Sequence, residues 1–333
     1  MHRNENFSTY PSSFCILIKV SRWWFVSINN QEAYKFVSLF CLKNDLFMKE
    51  KLRIAVQKSG RLSEDSLKLL KECGIGIPNG NNQLKIATEN FDAEILFLRD
   101  DDIPEYVADG VADIGFVGEN VVLEKNKDTQ IIERLGYGKC RLSIALPKTK
   151  ENFKTADLDG MKIATSYPVI LKKWLKQNKL NAEIHTISGS VEIAPRIGLA
   201  DAICDLVSSG STLFSNELYE FETILKSEAV LISGKNLSAK RKELLDKLLF
   251  RIRAVRKAKN NKYVLLNAPN VKIKDIVKYL PGLNSPTIVP LAKEGWSSVH
   301  SVISESDFWN VIEQLKAAGA EGILIIPIEK MID

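Results

Sequence analysis

The sequence predicts an α/β protein that ends in a smaller unit of ferredoxin-like order, and three observations carry this. From Leu52 onward, short apolar runs alternate with helical patterns. A long, highly charged helix is predicted from Ser238 to Ala258 and divides the chain. After it the pattern reads strand, helix, strand, strand, helix, strand. Alternation of the first kind implies parallel strands with helices on both faces of a sheet. The closing order is the βαββαβ motif.

The elements follow in turn. LRIAV (52–56) is the first strand. Ser63 is expected as the N-cap of the next helix, with Glu64 and Asp65 in its first turn, a Leu62–Leu67 staple and Gly74 at its end. Further strands are predicted at 94–99, 113–118, 141–147, 162–168, 182–187 and 201–207. Helices are predicted around Ile103–Asp109, Val169–Gln177 and Val191–Ile197. Strands near 141–146 and 162–165 start a second lobe, reaching to about residue 210, and the chain is expected to cross back after Thr212. In the charged helix, Leu244, Leu245, Leu248, Ile252 and Val255 form an apolar stripe. The final unit (260–333) places strands at 262–267, 286–291, 296–304 and 322–328, with helices at 271–280 and 305–319.

Composition narrows the function classes. With 333 residues and 45% hydrophobic residues, the chain can bury a sizeable core. It has no apolar run of the length a membrane span requires. The net charge of +5 is modest and its signs are mixed, so neither nucleic acid nor a membrane is expected as a partner. Five scattered cysteines without CxxC spacing and three histidines give no zinc cluster and read as reduced thiols of a cytoplasmic protein. Residues 1–47 are rich in aromatics and poor in charge, unlike the rest. They are expected to be a non-native or disordered extension, with Met48 as the true start and 48–258 as the catalytic region. Native peptides from before Met48 in a mass spectrum would contradict this.

The segment Glu192–Leu213, EIAPRIGLADAICDLVSSGSTL, carries the most chemistry. A strand ends at Asp205, and Ser208-Ser209-Gly210-Ser211-Thr212 turns into a helix. Such a turn aims unpaired backbone N–H groups outward, and Ser209, Ser211 and Thr212 add hydroxyl donors, so a phosphate fits the turn. Asp205 is placed to accept hydrogen bonds from ribose hydroxyls. Asp201, four residues earlier, shares its face and ranks below it. The bland reading of SSGST is an ordinary strand-to-helix turn capped by Thr212. The longer pattern favours the first reading. Glu192, Gly198, Ile203, Asp205, Leu206, Ser209, Gly210, Thr212 and Leu213 match, in register, the signature Glu, five residues, Gly, then I-x-D-L-x-x-S-G-x-T-L. In this the chain resembles the ATP phosphoribosyltransferase family, and the resemblance covers Met48 to Asp333.

The resemblance implies a two-lobed, periplasmic-binding-protein-like catalytic region with ligands in the cleft, and an ACT-like regulatory domain at 260–333. It implies transfer of phosphoribose from phosphoribosyl pyrophosphate to N1 of ATP, the first step of histidine biosynthesis, with Mg2+ held through the substrate pyrophosphate rather than by an identified protein site. Asp205, Glu192 and Lys58 are the expected catalytic residues. Asp205, Ser208–Thr212, Thr165 and Ser166 would hold phosphoribosyl pyrophosphate. Lys58, Gly60, Arg61, Arg99, Glu119 and Tyr167 would hold ATP. Asp101 or Asp102 is expected to cap the following helix, with Arg99 pairing locally. Arg141 is expected as a structural charge and Cys140 as small and buried. Histidine is the implied effector, near Asn267, Ser285 and Thr287. The implied assembly is a homo-oligomer, from dimer to hexamer, independent of a histidyl-tRNA-synthetase-like subunit. His185, Trp174, Trp296 and Trp309 read as packed residues.

Two other classes were weighed on the same residues. A prephenate-dehydratase-like enzyme would show a Thr-Arg-Phe triplet, which is absent. A non-catalytic amino-acid or nucleotide sensor would have no need of a phosphate turn beside Asp205.

Overall fold

The structure is a computed structural model that describes residues 50–78, 83–150, 153–280 and 285–332. The segment 1–47 lies outside the described residues.

Three sheets organise the chain. The first contains β1 (Leu52–Gln57), β2 (Lys85–Ala87), β3 (Ala93–Leu98), β4 (Ile114–Gly118), β5 (Gln130–Arg134) and β11 (Ala229–Ser233), in the order β2-β3-β1-β4-β11-β5. The second contains β6 (Cys140–Pro147), β7 (Lys162–Thr165), β8 (Glu183–Thr186), β9 (Ala202–Val207) and β10 (Leu218–Ser227), in the order β10-β6-β9-β7-β8. Both repeat one plan. Three parallel strands (β3-β1-β4 and β8-β7-β9) are flanked by an antiparallel strand, β11 in one case and β6 in the other. The sheets are therefore mixed rather than parallel throughout. These two sheets are the two lobes.

Helices cover the first sheet on both sides, as alternation requires. Leu52, Ile54 and Val56 of β1 pack with α1 (Arg61–Glu72) and with the stripe of the 21-residue α6 (Ala239–Lys259). Ala55 points the other way, toward Ile103 and Val107 of α2 (Ile103–Ala108) and Val121 and Val122 of α3 (Glu119–Lys125). All five predicted stripe residues of α6 are buried, and Ser238 caps the helix by accepting from the Arg241 N–H at 3.2 Å. In the second lobe, α4 (Pro168–Gln177) and the short α5 (Ser211–Ser215) follow β7 and β9.

Several expectations are corrected. Helix α1 starts at Arg61, because Gly60 takes φ +96° and turns the chain three residues early; Ser63 is a buried residue inside the helix rather than its cap. The predicted helix at 191–197 is a three-residue 3-10 turn, Val191–Ile193, followed by further turns; Pro195 has no N–H to continue a helical hydrogen-bond ladder. The second sheet continues through Ser227, so the chain crosses back after β10 and not after Thr212. Trp309 is 73% exposed, because the buried face of α8 (Phe308–Ala317) is built from Phe308, Val311, Ile312 and Leu315.

The third sheet contains β12 (Asn261–Pro269), β13 (Thr287–Pro290), β14 (Trp296–Ser304) and β15 (Glu321–Pro327), in the order β13-β14-β12-β15. With α7 (Ile273–Val277) and α8 on one face, this is the ferredoxin-like arrangement. Among the described residues no helix is long and apolar enough to cross a membrane.

Candidate active site

The parallel strands of both lobes end in loops that hold most of the predicted site residues. In open α/β sheets, ligands bind outside the carboxyl ends of the strands, where neighbouring connections diverge. In the first lobe these ends are Gln57–Gly60 after β1, Arg99–Asp102 after β3 and Glu119–Asn120 after β4. In the second they are Thr165–Tyr167 after β7 and Ser208–Gly210 after β9.

The turn after β9 presents backbone amides and hydroxyls outward. Gly210 is left-handed at φ +82°, a conformation that L side chains rarely adopt. The backbone N–H groups of Ser209, Gly210 and Thr212 find no acceptor among the described residues. Ser208, Ser209, Ser211 and Thr212 are exposed, and the Ser209 and Ser211 hydroxyls lie 3.0 Å apart. Behind the turn, Arg141 holds both oxygens of Glu220 and donates to the Ser208 carbonyl at 3.1 Å. That guanidinium, with Ser143 and Thr223, drops the Glu220 carboxyl to about 2. The stability from this lowered group is present above the ordinary glutamate range and fades only as pH falls toward 2, so the prop is intact at neutral pH. Arg141→Ala is expected to raise KM for the phosphorylated sugar about tenfold by freeing the turn, while fold stability changes by ~1 kcal/mol or less, since the pair is partly exposed. Initial rates and a urea melt measure the two effects.

Asp205 sits at the foot of this turn. It is half-buried, and among the described residues its carboxylate accepts one hydrogen bond, from the Leu206 N–H at 2.8 Å. Burial pushes its carboxyl above the ordinary range, the Leu206 N–H pulls against this, and Glu192 nearby adds to the rise. Glu192 itself is half-buried and makes no hydrogen bond or ion pair among the described residues. Asp201 instead accepts from the Lys162 N–H at 2.9 Å at the far end of β9, so its carboxylate serves the sheet.

The first lobe offers the opposite charge. Lys58, Arg61 and Arg99 are exposed and have no ion-pair partner among the described residues. Lys58 keeps its backbone in register with β3 through the Leu98 carbonyl at 2.8 Å. Arg99 does not pair locally as predicted, and neither Asp101 nor Asp102 caps α2 with its side chain; Asp101 instead meets Lys125 at 3.6 Å.

Tyr167 joins the two sides. Its hydroxyl accepts from Asn120 Nδ2 at 3.2 Å, across the cleft. Burial first, then the field of Asp205, with smaller contributions from Asp100 and Asp101, keep the phenol protonated. Its environment thus brings together the acids of both lobes. Asn120 is buried, and exchanges hydrogen bonds with Ser227: its N–H donates to Oγ at 3.1 Å, and the hydroxyl donates to Oδ1 at 2.9 Å.

Other predicted residues are engaged in the scaffold. Thr165 donates to the Cys204 carbonyl at 2.6 Å and Ser166 to the Ile187 carbonyl at 2.8 Å, so these hydroxyls point into the lobe. Glu119 holds Arg134 with both carboxylate oxygens, at 2.5 and 2.6 Å, and Arg134 also meets Glu228 at 3.6 Å. Glu228 is the single residue between β10 and β11, so this cluster sits where the chain passes between lobes. Cys140 is half-buried, and burial raises its thiol; Cys204 is fully buried and raised too, so neither is an activated nucleophile. In the third sheet, Asn267 and Thr287 fall on the face away from the helices, and Ser285 lies just before β13. Sequence reasoning missed the chain Tyr263–His300–Ser298 on that face, linked at 2.8 and 3.0 Å; alternation along β12 and β14 was the available signal.

The family model for ATP phosphoribosyltransferase matches residues 99–254, and the model for the HisG C-terminal domain matches residues 258–330. An ATP phosphoribosyltransferase of Cytophaga hutchinsonii is 59% identical over 281 residues, spanning 84% of this chain and 98% of the relative. One from Bacteroides thetaiotaomicron is 58% identical over 281 residues, spanning 84% and 99%. A solved chain from the ATP phosphoribosyl transferase (HisG:HisZ) complex of Thermotoga maritima is 29% identical, with a TM-score of 0.52, over 61% of this chain and 98% of that one. The two mixed sheets form the two lobes that the resemblance implied. Matched along both its cleft-bearing lobes and its ferredoxin-like end, the chain belongs to the ATP phosphoribosyltransferase family, in the long form that carries a C-terminal domain.

Proposed function

We propose that the cleft divides its two substrates between its lobes. As a family member the chain joins N1 of ATP to C1 of phosphoribosyl pyrophosphate and releases pyrophosphate, the first step of histidine biosynthesis. The turn Ser208–Thr212 takes the 5-phosphate, and Asp205 with Glu192 takes the ribose. Lys58, Arg61 and Arg99, beside Gly60, take the phosphates of ATP. The observation that carries this assignment is Asp205, a half-buried carboxylate that has no cation partner among the described residues and lies beside backbone amides that find no acceptor among them.

The chemistry asks little proton transfer of the protein. Neutral N1 is already nucleophilic, so no general base is assigned. As the C1–O bond to pyrophosphate stretches, the ribose gains positive charge, and a carboxylate fixed beneath it stabilises that charge more than it stabilises the neutral sugar. The cost of holding Asp205 in a poorly hydrated place is recovered at that moment. Arg141 and Glu220 keep the turn still, which preserves alignment of C1 with the incoming nitrogen. Among the described residues no group of three or more acids, histidines or cysteines could hold a metal. Mg2+ is assigned here as a companion of the pyrophosphate, where it would neutralise the leaving group. The hydroxyls of Thr165 and Ser166 are already engaged with backbone carbonyls, so this turn would serve through its backbone.

Pyrophosphate release from ATP and phosphoribosyl pyrophosphate with Mg2+ tests the reading. Binding of either substrate without release would return the chain to the sensor class.

The C-terminal domain is assigned to feedback by histidine, with Asn267, Ser285 and Thr287 as candidate contacts. Val289, Leu324 and Ile326 expose 43–56% of their surface on this sheet, which supports association into a homo-oligomer, and the cytoplasm is its assigned location. Ending the chain after Asn260 is expected to leave turnover within about threefold and to abolish inhibition by histidine. Inhibition that survives the truncation counts against this assignment.

A further inference from the structure

Helix α4 in the second lobe starts without a cap of its own. Pro168 opens it, and Tyr167 at the N-cap position offers no side-chain hydrogen bond to the first turn. The cap comes from the other lobe. Glu124 of α3 accepts from the Val169 N–H at 2.9 Å and from the Ile170 N–H at 3.0 Å, one with each carboxylate oxygen. The donors are two of the amides a helix leaves unsatisfied at its start, and the negative charge lies against the positive end of the helix dipole. Its partners are 45 and 46 residues away in sequence.

We propose that Glu124 is a positioning residue that sets the width of the cleft by capping a helix in the opposite lobe. Among the described residues, this contact and the Asn120–Tyr167 bond are the side-chain hydrogen bonds that bridge the lobes away from the crossing strands. Each end of the clasp is attached to a substrate loop. Helix α4 follows the Thr165–Tyr167 turn directly. Helix α3 begins at the end of β4, and its Lys125 meets Asp101 in the loop that carries Arg99. Gly118 leaves room for the Asn120 side chain that meets Tyr167, since a Cβ there would come within 2.5 Å of Asn120 Oδ1. The clasp therefore fixes the loops of one lobe opposite those of the other.

The inference rests on the two-lobe reading of substrate binding, and two measurements on the full chain keep the two separable. Hydrogen exchange at Val169 and Ile170, without substrates, reads the clasp itself. In Glu124→Ala these amides are expected to exchange about tenfold faster, with Glu124→Gln in between because its one carbonyl oxygen cannot serve both donors well. Steady-state kinetics read the consequence. KM is expected to rise about tenfold for both substrates together, with kcat changed less than threefold; tenfold corresponds to about 1.4 kcal/mol. A purely structural loss would instead lower kcat through the active fraction and leave both KM values alone. Unchanged exchange overturns the clasp. Faster exchange with unchanged KM values overturns its role in setting the cleft. If the unmutated chain shows no turnover, the functional reading fails, while exchange and substrate-binding titrations still decide the clasp.

Discussion

Replacing Asp205 with Ala is expected to lower kcat/KM about a hundred- to a thousandfold, in the range lost when one fixed electrostatic partner of a transition state is removed. The reason is the mismatch between the residue and its resting surroundings. Its carboxyl is half-buried, has no cation among the described residues, and lies near the acid Glu192. Such a site is poor for an isolated anion and good for one facing a developing cation. The same residue gives a signed pH effect. Because its carboxyl titrates above the ordinary range, burial of the ionised form opposes folding at neutral pH, and this opposition is relieved as pH falls through the raised value. Asp205→Asn is therefore expected to raise the Tm slightly at pH 7 while activity collapses. In the unmutated chain the acid limb of kcat/KM should lie above that of an ordinary aspartate, and the Asn variant should lack it. An Asp205→Ala protein with full turnover, or an Asp205→Asn protein that melts lower at neutral pH, contradicts this account.

The largest expected loss of stability is at Asp113. This carboxylate is 3% exposed and gathers donors from two elements. It accepts from the Arg53 backbone at 2.7 Å and from the Arg53 guanidinium at 2.7 and 3.2 Å, on β1. It also accepts from Arg241 on α6 at 3.3 Å. Removing it leaves two guanidinium groups and a backbone N–H without their buried anion, which costs about 3–5 kcal/mol for a buried pair. Arg53 and Arg241 are about a quarter exposed, so the lower end, ~3 kcal/mol, is expected for Asp113→Ala. The residue lies away from the strand ends that carry the site, so urea midpoints should fall while KM values for folded protein hold. A loss under about 1 kcal/mol would show that water replaces the carboxylate.

The alternation from β1 to β9 was legible because each parallel strand is a short, buried apolar run with its own helix or turn signal. The strands that were missed lack that signal. β10 carries Glu220, Glu222 and Lys226 along a half-exposed edge, and only Glu228 separates it from β11, so no turn composition marks the boundary. β5 is exposed at Gln130, Ile131 and Arg134, and β2 spans three residues. In the site, Asp205 and the Ser208–Thr212 turn were legible because the chemistry is local in sequence. Glu124, Asn120 and Glu220 were not, because their partners lie 45 to 107 residues away and only the fold brings them together. Glu119 illustrates the same point: its position at a strand end suggested ligand, and Arg134 claims it.

The second sheet is continuous in sequence, from Cys140 to Ser227, whereas the first is interrupted by it and regains a strand only at Ala229. During synthesis the inner lobe can therefore be completed while the outer one waits with β4 lacking its β11 neighbour. The outer core closes later still, when Leu248, Ile252 and Val255 have emerged to cover β1. A ribosome pausing before that point would hold a nascent chain with one finished half and one sticky half, and chaperone demand should peak there rather than at the start.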